Sequence, residues 1–245
     1  MMGSPRSSYD RFATTRWSVV MHTAASASVD ARTALAELAQ RYWYPVYAYA
    51  RRSGHTPAIA QDLARSFLGI LMHDFRSAEA LQAKGQFRRF LLERLHTFLG
   101  SDWRDTVEMH GDIELVAPAD LEIRYQHDHT DTGSPEQAYQ RSFALEVIAR
   151  ALKRLRSEAN RGGHLEMYTA LEPYIAHDPA PSEYATLAAR LATRPLALIV
   201  ALKRLRQRLR ELVGEELADT VTSQDELAHE QAALHDILSS PDVAH

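Results

Sequence analysis

The side chains best equipped to do chemistry in this chain are cations, and they are bunched. Between positions 181 and 214 there are seven Lys or Arg against two Glu. Lys203, Arg204, Arg206, Arg208 and Arg210 crowd into two turns' worth of sequence, with leucines between them. Such a set suits the holding of phosphate, because Lys and Arg make the backbone contacts that position a protein on nucleic acid. It does not suit bond-breaking. The sequence shows no paired carboxylates, no nucleophile beside a base and no Gly-rich phosphate loop. The absence of Cys excludes disulfides, thiolate zinc sites and a thiol nucleophile. His127-Asp128-His129 is the run closest to a metal-ligand pattern, but an isolated trio in an acidic connector is a weak signal. No enzyme activity, metal or cofactor is expected.

The elements that must carry these cations can be read from spacing. Residues 182–213 form a short helix, a tight corner at Ala192-Thr193-Arg194, and a long basic helix opened by Pro195, whose missing N–H costs nothing in a first turn. Leu187 and Leu191 before the corner, and Leu198, Leu202, Leu205, Leu209 and Leu212 after it, recur at helical spacing. Two helices joined by so short a turn make a helix-turn-helix, whose second helix can lie in the major groove. The alternative is an ordinary helical hairpin with a solvated basic face, since the turn lacks the usual Gly.

Upstream, Trp17 to His22 reads as a short helical turn. A helix capped by Asp30 runs to Gly54 with Leu35, Leu38, Tyr42, Val46 and Tyr49 inward, and Pro45 inside it as a source of a kink. Thr56 is the N-cap of a second helix that starts at Pro57 and turns Ile59, Leu63, Phe67, Ile70 and Leu71 inward. A third helix covers Phe87 to about Val107 on a stripe of Phe87, Phe90, Leu91, Leu95 and Phe98. Periodicity then fades over 108–134. Ser134-Pro135-Glu136 starts a helix closed by Gly162-Gly163, and a further helix covers 164–177. An acidic helical tail ends the chain. No strand pattern is visible. The expected fold is all-α, with two helical domains (1–107 and 135–222) joined by an acidic linker (108–134) and followed by a tail (223–245). The second domain would be a helix-turn-helix of winged-helix-like, wingless form.

The 245 residues are 45% hydrophobic and 24% charged, which suffices for a core without staples. The net charge of −4 hides its distribution. Basic stretches at 84–104 and 181–214 alternate with acidic ones at 102–131 and 215–245, the last of which has eight acids and no Lys or Arg. No apolar run approaches the ~18 residues of a membrane span. The N-terminus lacks the pattern of a signal peptide. A cytoplasmic protein without membrane contact is expected.

The order of the pieces carries a resemblance. TTRWSVV, then YWYPVYAYARRSGHTP, QDLARSFL and GQFRRFLLERLHTFL with a Trp shortly after, resembles the promoter-binding core of the ECF-type sigma factors of bacterial RNA polymerase. The chain is most similar to the branch whose members read close to TRWSVV…YWYPLYAY…GHSP. YATLAARLATRPLALIVALKRLRQRLREL aligns without gaps on that branch's YAELAARLGMSEGAVKVAVHRLRRRLREL. The resemblance spans residues 14–238 and implies partners rather than substrates. The first domain would dock on core RNA polymerase, with Gln61, Asp62, Arg65 and Ser66 at the contact, and open the −10 element of promoter DNA. Arg88, Arg89, Arg94 and Arg104 would meet backbone phosphates, Trp103 would stack on an unpaired base, and the loop 77–86 would hold a flipped base. Thr193, Arg194, Lys203, Arg204 and Arg206 would serve the −35 element.

Three departures sit at those surfaces. The second helix opens Pro57-Ala58-Ile59-Ala60-Gln61-Asp62-Leu63, so only Asp62 keeps the charge of the family's acidic PEDAEDL. The family's basic run after the Trp is Arg104-Asp105-Thr106-Val107-Glu108 here. On the recognition helix Arg194, Pro195, Leu196 and Ile199 replace Ser, Glu, Gly and Lys, and Leu and Ile offer a base edge no donor or acceptor. Two readings follow. One is a working sigma factor with weak or regulated promoter binding, in which phosphorylation of Thr56 by a Ser/Thr kinase restores charge to the helix that lost its acids; an anti-sigma factor is a further partner open to it. The other is a sigma-derived regulator that binds protein partners and no longer reads promoters. On either, the acidic tail could fold back on the basic helix.

Overall fold

The computed structural model describes residues 29–74, 87–100, 119–128 and 133–239, and all regular structure among them is helical. The expected turn at 17–22, the loop 77–86, and Trp103 and Arg104 lie outside the described residues. Among those described, no single helix is long and apolar enough to cross a membrane. The chain divides into two compact units, Met1–Glu146 with Leu217–His245, and Val147–Glu216. The dividing points fall inside helices, not in the stretch 108–134 read as a linker.

The first unit is built on α1 (Val29–Arg52). From Tyr42 to Ala50 almost every side chain of α1 except Pro45 is an aromatic or aliphatic group, and all are buried. That burial carries the helix straight through Pro45, which removes one ladder bond at a cost of about 3 kcal/mol. Packed around it are α2 (Pro57–Asp74) and α3 (Phe87–Gly100). Gly54 ends α1 with φ +94°, a left-handed conformation that glycine adopts without steric cost. Thr56 then caps α2 as expected, accepting from the Ile59 N–H at 3.4 Å. The Tyr42 ring meets Phe87 edge-on at 5.0 Å and stacks on Phe143 at 5.4 Å, tying α3 and the first half of α5 (Pro135–Arg161) to α1.

The stretch read as structureless contains a helix, α4 (Leu121–Asp128). Leu121 and Tyr125 are its buried side. Its acids are what fix it: Glu122 takes both a two-pronged ion pair from Arg51 at 2.8 Å and the Tyr47 hydroxyl at 2.6 Å, and Asp128 takes the Tyr44 hydroxyl at 2.7 Å. The Arg124 guanidinium lies 4.0 Å from the centre of the Tyr44 ring and pairs with Glu146. Acidic composition here marks docking on a tyrosine-rich helix.

The acidic tail forms α9 (Gln224–Ser239) and belongs to the first unit. Ser223 caps it by accepting from the Glu226 N–H, and the Glu226 carboxylate reaches back to the Thr222 N–H at 2.7 Å, a reciprocal capping arrangement. Just before it, Thr220 accepts from the Phe87 N–H at 3.0 Å, and Asp219 pairs with Arg41 at 3.1 Å. Leu227, Glu230 and Leu234 are buried.

The second unit contains the rest of α5, then α6 (Leu165–Leu171), a single 3-10 turn (Glu172–Tyr174), α7 (Pro181–Arg190) and α8 (Pro195–Ala218). The helix expected over 164–177 is shorter because Pro173 cannot donate to an α-helical ladder. Conversely α8 runs past Gly214, where an end was expected. Arg154 binds both Glu215 and Glu216, and Arg150 lies 3.3 Å from Glu216, so the last turn is held despite the glycine. Two apolar clusters fill the unit. Leu171, Leu187, Leu198 and Leu202 pack α7 on α8. Ala151, Leu155, Tyr168 and Leu212 pack α5 and α6 on the lower half of α8.

Candidate nucleic-acid and partner interface

The turn between α7 and α8 is closed by backbone bonds rather than by a flexible residue. The Thr193 N–H donates to the Ala188 carbonyl at 3.0 Å, and Ala192 sits at φ +47°. This is the Schellman closure that also ends α1 at Gly54 and α5 at Gly163. Here an alanine occupies the left-handed position. The result is a four-residue connection with α7 and α8 bent by 99°.

The cations on and before α8 separate into two groups. Arg206 is built into the fold: its guanidinium donates to the carbonyls of Tyr174, Ile175 and His177 and to the Asp178 carboxylate, at 2.7–3.0 Å. It closes the carbonyl end of the α6 and 3-10 segment. Arg208 is likewise engaged, two-pronged on Glu158 at 2.8 and 2.9 Å and bonded to Glu211 and Glu215. The pairing raises the Arg208 pKa, through the Glu158 hydrogen bonds first, and lowers that of Glu158 in return. Lys203, Arg204 and Arg194 are exposed and have no acceptor among the described residues, while Thr193 is half-buried beneath the turn. Of the five residues expected at the −35 element, the structure therefore leaves three cations open to solvent.

On α3 the expected phosphate contacts fare differently. Arg88 faces inward, 11% exposed, and pairs at 3.0 Å with Glu230, itself 1% exposed. Its guanidinium also lies 5.2 Å from the centre of the Phe143 ring. A cation so placed holds α9 on α3 and does not reach solvent phosphate. Arg89 is exposed and pairs with Glu93 at 3.1 Å, one turn on. Arg94 is half-buried. On α2, Asp62 is exposed and pairs with Arg65 at 3.4 Å, while Gln61 and Ser66 are half-buried on the same helix.

The first turns of α8 carry an exposed apolar face, of which Leu196 and Ile199 were expected from sequence as a place for protein contact and Val200 was not. Leu196, Ile199 and Val200 are 70%, 46% and 43% exposed. Leu196 and Val200 line a cleft of about 680 Å³ that lies wholly within the second unit, against Ala159 of α5 and Met167 of α6. The signal was present in the run LALIVAL, which is apolar on every face of a helix, whereas a helix with one partner shows a single stripe.

No family model matches the sequence, and neither the curated proteins nor the solved structures include a significant match to it.

Proposed function

We propose that the chain is a sigma factor that binds core RNA polymerase in the bacterial cytoplasm and directs initiation at a subset of promoters. On this reading 1–107 and 135–222 are two functional domains, and α7 with α8 is a helix-turn-helix of winged-helix-like, wingless form that meets the −35 element. The observation that carries the proposal is the pairing of α7 and α8. A four-residue turn and a 99° bend lie within the range of a DNA-binding helix pair, and Arg194, Lys203 and Arg204 are open to solvent beside it. The ordered motifs from TTRWSVV to GQFRRFLLERLHTFL give it its specific form. Pull-down with purified core polymerase, followed by run-off transcription on genomic DNA, tests it. Co-purification and defined transcripts are expected; failure to bind core polymerase would end the sigma reading.

A second reading has its own observation. Leu196 and Ile199 stand where a base-reading helix presents polar groups, so the chain could be a sigma-derived regulator that holds protein partners instead. The two are separated by DNA affinity as salt is varied: phosphate contacts make affinity fall steeply with salt. Thr56 bears on the first reading. It is exposed, caps α2, and precedes a first turn without acids. Phosphorylation there by a Ser/Thr kinase would place charge at a helix N-terminus, where it is favoured. Thr56→Glu is then expected to raise transcription over wild type in the reconstituted assay, and no gain would remove the kinase from the account.

A further inference from the structure

The start of α3 fastens the chain on both sides of the second unit. The chain enters that unit along α5, past Glu146, and leaves it along α8, past Glu216. Before the entry, the Tyr139 hydroxyl donates to the Arg88 carbonyl at 3.1 Å, and the Phe143 ring lies 5.2 Å from the Arg88 guanidinium. After the exit, the Thr220 carbonyl accepts from the Phe87 N–H at 3.0 Å, and Glu230 of α9 accepts from the Arg88 guanidinium at 3.0 Å. Phe87, Tyr139, Phe143, Thr220 and Glu230 are all buried. These fastenings limit reach, whatever the placement of the second unit. Back from Leu217 to Arg194, α8 and the residue before it rise about 35 Å at 1.5 Å per residue. The Thr220 N–H closes a turn on the Leu217 carbonyl, so Arg194 lies no more than about 45 Å from Phe87 while Thr220 stays docked. By their positions, the −10 and −35 elements lie about 25 base pairs apart, which at 3.4 Å each is about 85 Å of straight duplex. A chain so fastened cannot hold one element with α3 and the other with the start of α8.

We infer that Phe87 and Arg88 form an autoinhibitory clasp: α9 and the Thr220 turn, docked on α3, hold the chain closed, and core polymerase binds the form in which they are released. The inference rests on the sigma reading and supplies its regulation. The chemistry of the catch suits opening. When α9 leaves as a whole, Arg88 and Glu230 both regain water, which offsets the lost attraction; only deleting one partner strands the other. Leu227 and Leu234 are the buried aliphatic side chains of α9, so the tail gives up little apolar burial on leaving. A binding form present in only a fraction of molecules lowers apparent affinity by that fraction, so loosening the catch raises affinity.

The test uses the full chain and purified core polymerase, with affinity read by fluorescence anisotropy. Glu230→Leu removes the catch from the tail side and is expected to bind about tenfold more tightly than wild type. Adding Arg88→Met to it refills the contact with apolar groups, and affinity is expected to return to within about threefold of wild type. Leu212→Ala loosens the core of the second unit instead and is expected to give no gain. A second measurement leaves the clasp residues untouched. The chain has no Cys, so Thr97→Cys and Gln207→Cys, both at exposed positions, take spin labels specifically. With the clasp shut, these two backbone positions are within about 40 Å of each other. Pulsed electron paramagnetic resonance is expected to find the free chain inside that bound, and to find a population beyond it in complex with polymerase and a template that yields a run-off transcript. Labels that stay inside the bound in the transcribing complex would overturn the clasp. So would a Glu230→Leu affinity equal to wild type, or an equal gain from Leu212→Ala, and each leaves the sigma reading standing. Failure of wild type and Glu230→Leu alike to bind polymerase would remove the sigma reading and the clasp together.

Discussion

Replacing Arg88 by Met separates its two candidate roles. If Arg88 meets promoter phosphate, the change weakens DNA binding and leaves stability alone. The structure demands the reverse. Glu230 is 1% exposed, and its Oε1 takes both the Nε and an Nη of Arg88, at 3.3 and 3.0 Å. Its Oε2 has no donor among the described residues. Removing Arg88 strands this buried carboxylate, and stranding one partner of a buried pair costs about 3–5 kcal/mol. Because Arg88 retains 11% exposure and some water reaches it, about 3 kcal/mol is the expected loss. Glu230→Leu is expected to cost less, about 2 kcal/mol, since the longer Arg88 side chain can turn toward solvent. The double variant, Arg88→Met with Glu230→Leu, should recover to within about 1 kcal/mol of wild type, as apolar replacements of partly satisfied buried pairs do. Chemical denaturation followed by circular dichroism measures all four corners of the cycle, and the coupling should be about 3–4 kcal/mol. An Arg88→Met loss below about 0.5 kcal/mol would refute the argument, and would return Arg88 to the surface cations.

Three further outcomes follow from the same kind of geometry. The Arg51 guanidinium, and behind it the Tyr47 hydroxyl, hold the Glu122 carboxyl down at about 2. A depressed carboxyl stabilises the fold above its ordinary pKa near 4.5 and loses that contribution as pH falls toward 2. After allowance for its partial exposure, about 2 kcal/mol is expected, so wild type and Glu122→Gln should differ by that amount at neutral pH and converge near the acid end in pH-dependent unfolding. Ala192→Gly relieves a left-handed alanine at φ +47° and is expected to raise stability by about 1 kcal/mol in thermal unfolding. Arg206→Ala strands three carbonyls and Asp178, with an expected loss of about 2 kcal/mol; Arg204→Ala should leave stability unchanged and lower the salt slope of any DNA binding by about 1.

Much of the scaffold was legible because it rests on local chemistry. Thr56-Pro57 announced α2, Pro195 announced α8, and Gly54 closed α1, each through a backbone requirement that one residue type meets. Failures came where a distant partner decides. Nothing local tells that Arg206 will be consumed by carbonyls about thirty residues back, or that Arg88 will find Glu230, 142 positions away. Arg89 and Arg88 are neighbours of the same type, and only the tertiary pairing turns one inward and leaves the other in solvent. The same holds for α4. Its Glu122 and Asp128 look like connector acids until the hydroxyls of Tyr47 and Tyr44 are placed opposite them.

The first turns of α8 bring these threads to one place. A helix that reads bases needs polar groups at its N-terminal end and needs its apolar stripe confined to the core side. In α8 the core side is fully supplied by Leu198 and Leu202, both buried under α7. Leu196, Ile199 and Val200 are therefore surplus to the packing of the unit. Exposed aliphatic side chains singly need no explanation, but three within five residues, two of them edging an apolar trough, leave apolar area uncovered that a second surface can bury. Of the cations on α8, Lys203 and Arg204 are exposed with no acceptor among the described residues, Arg206 and Arg208 are spent on the fold, and the exposed Arg210 is bonded only to Gln207 of the same helix. The part of α8 free to meet a partner is thus its first three turns, and there the chemistry on offer is aliphatic area edged by positive charge.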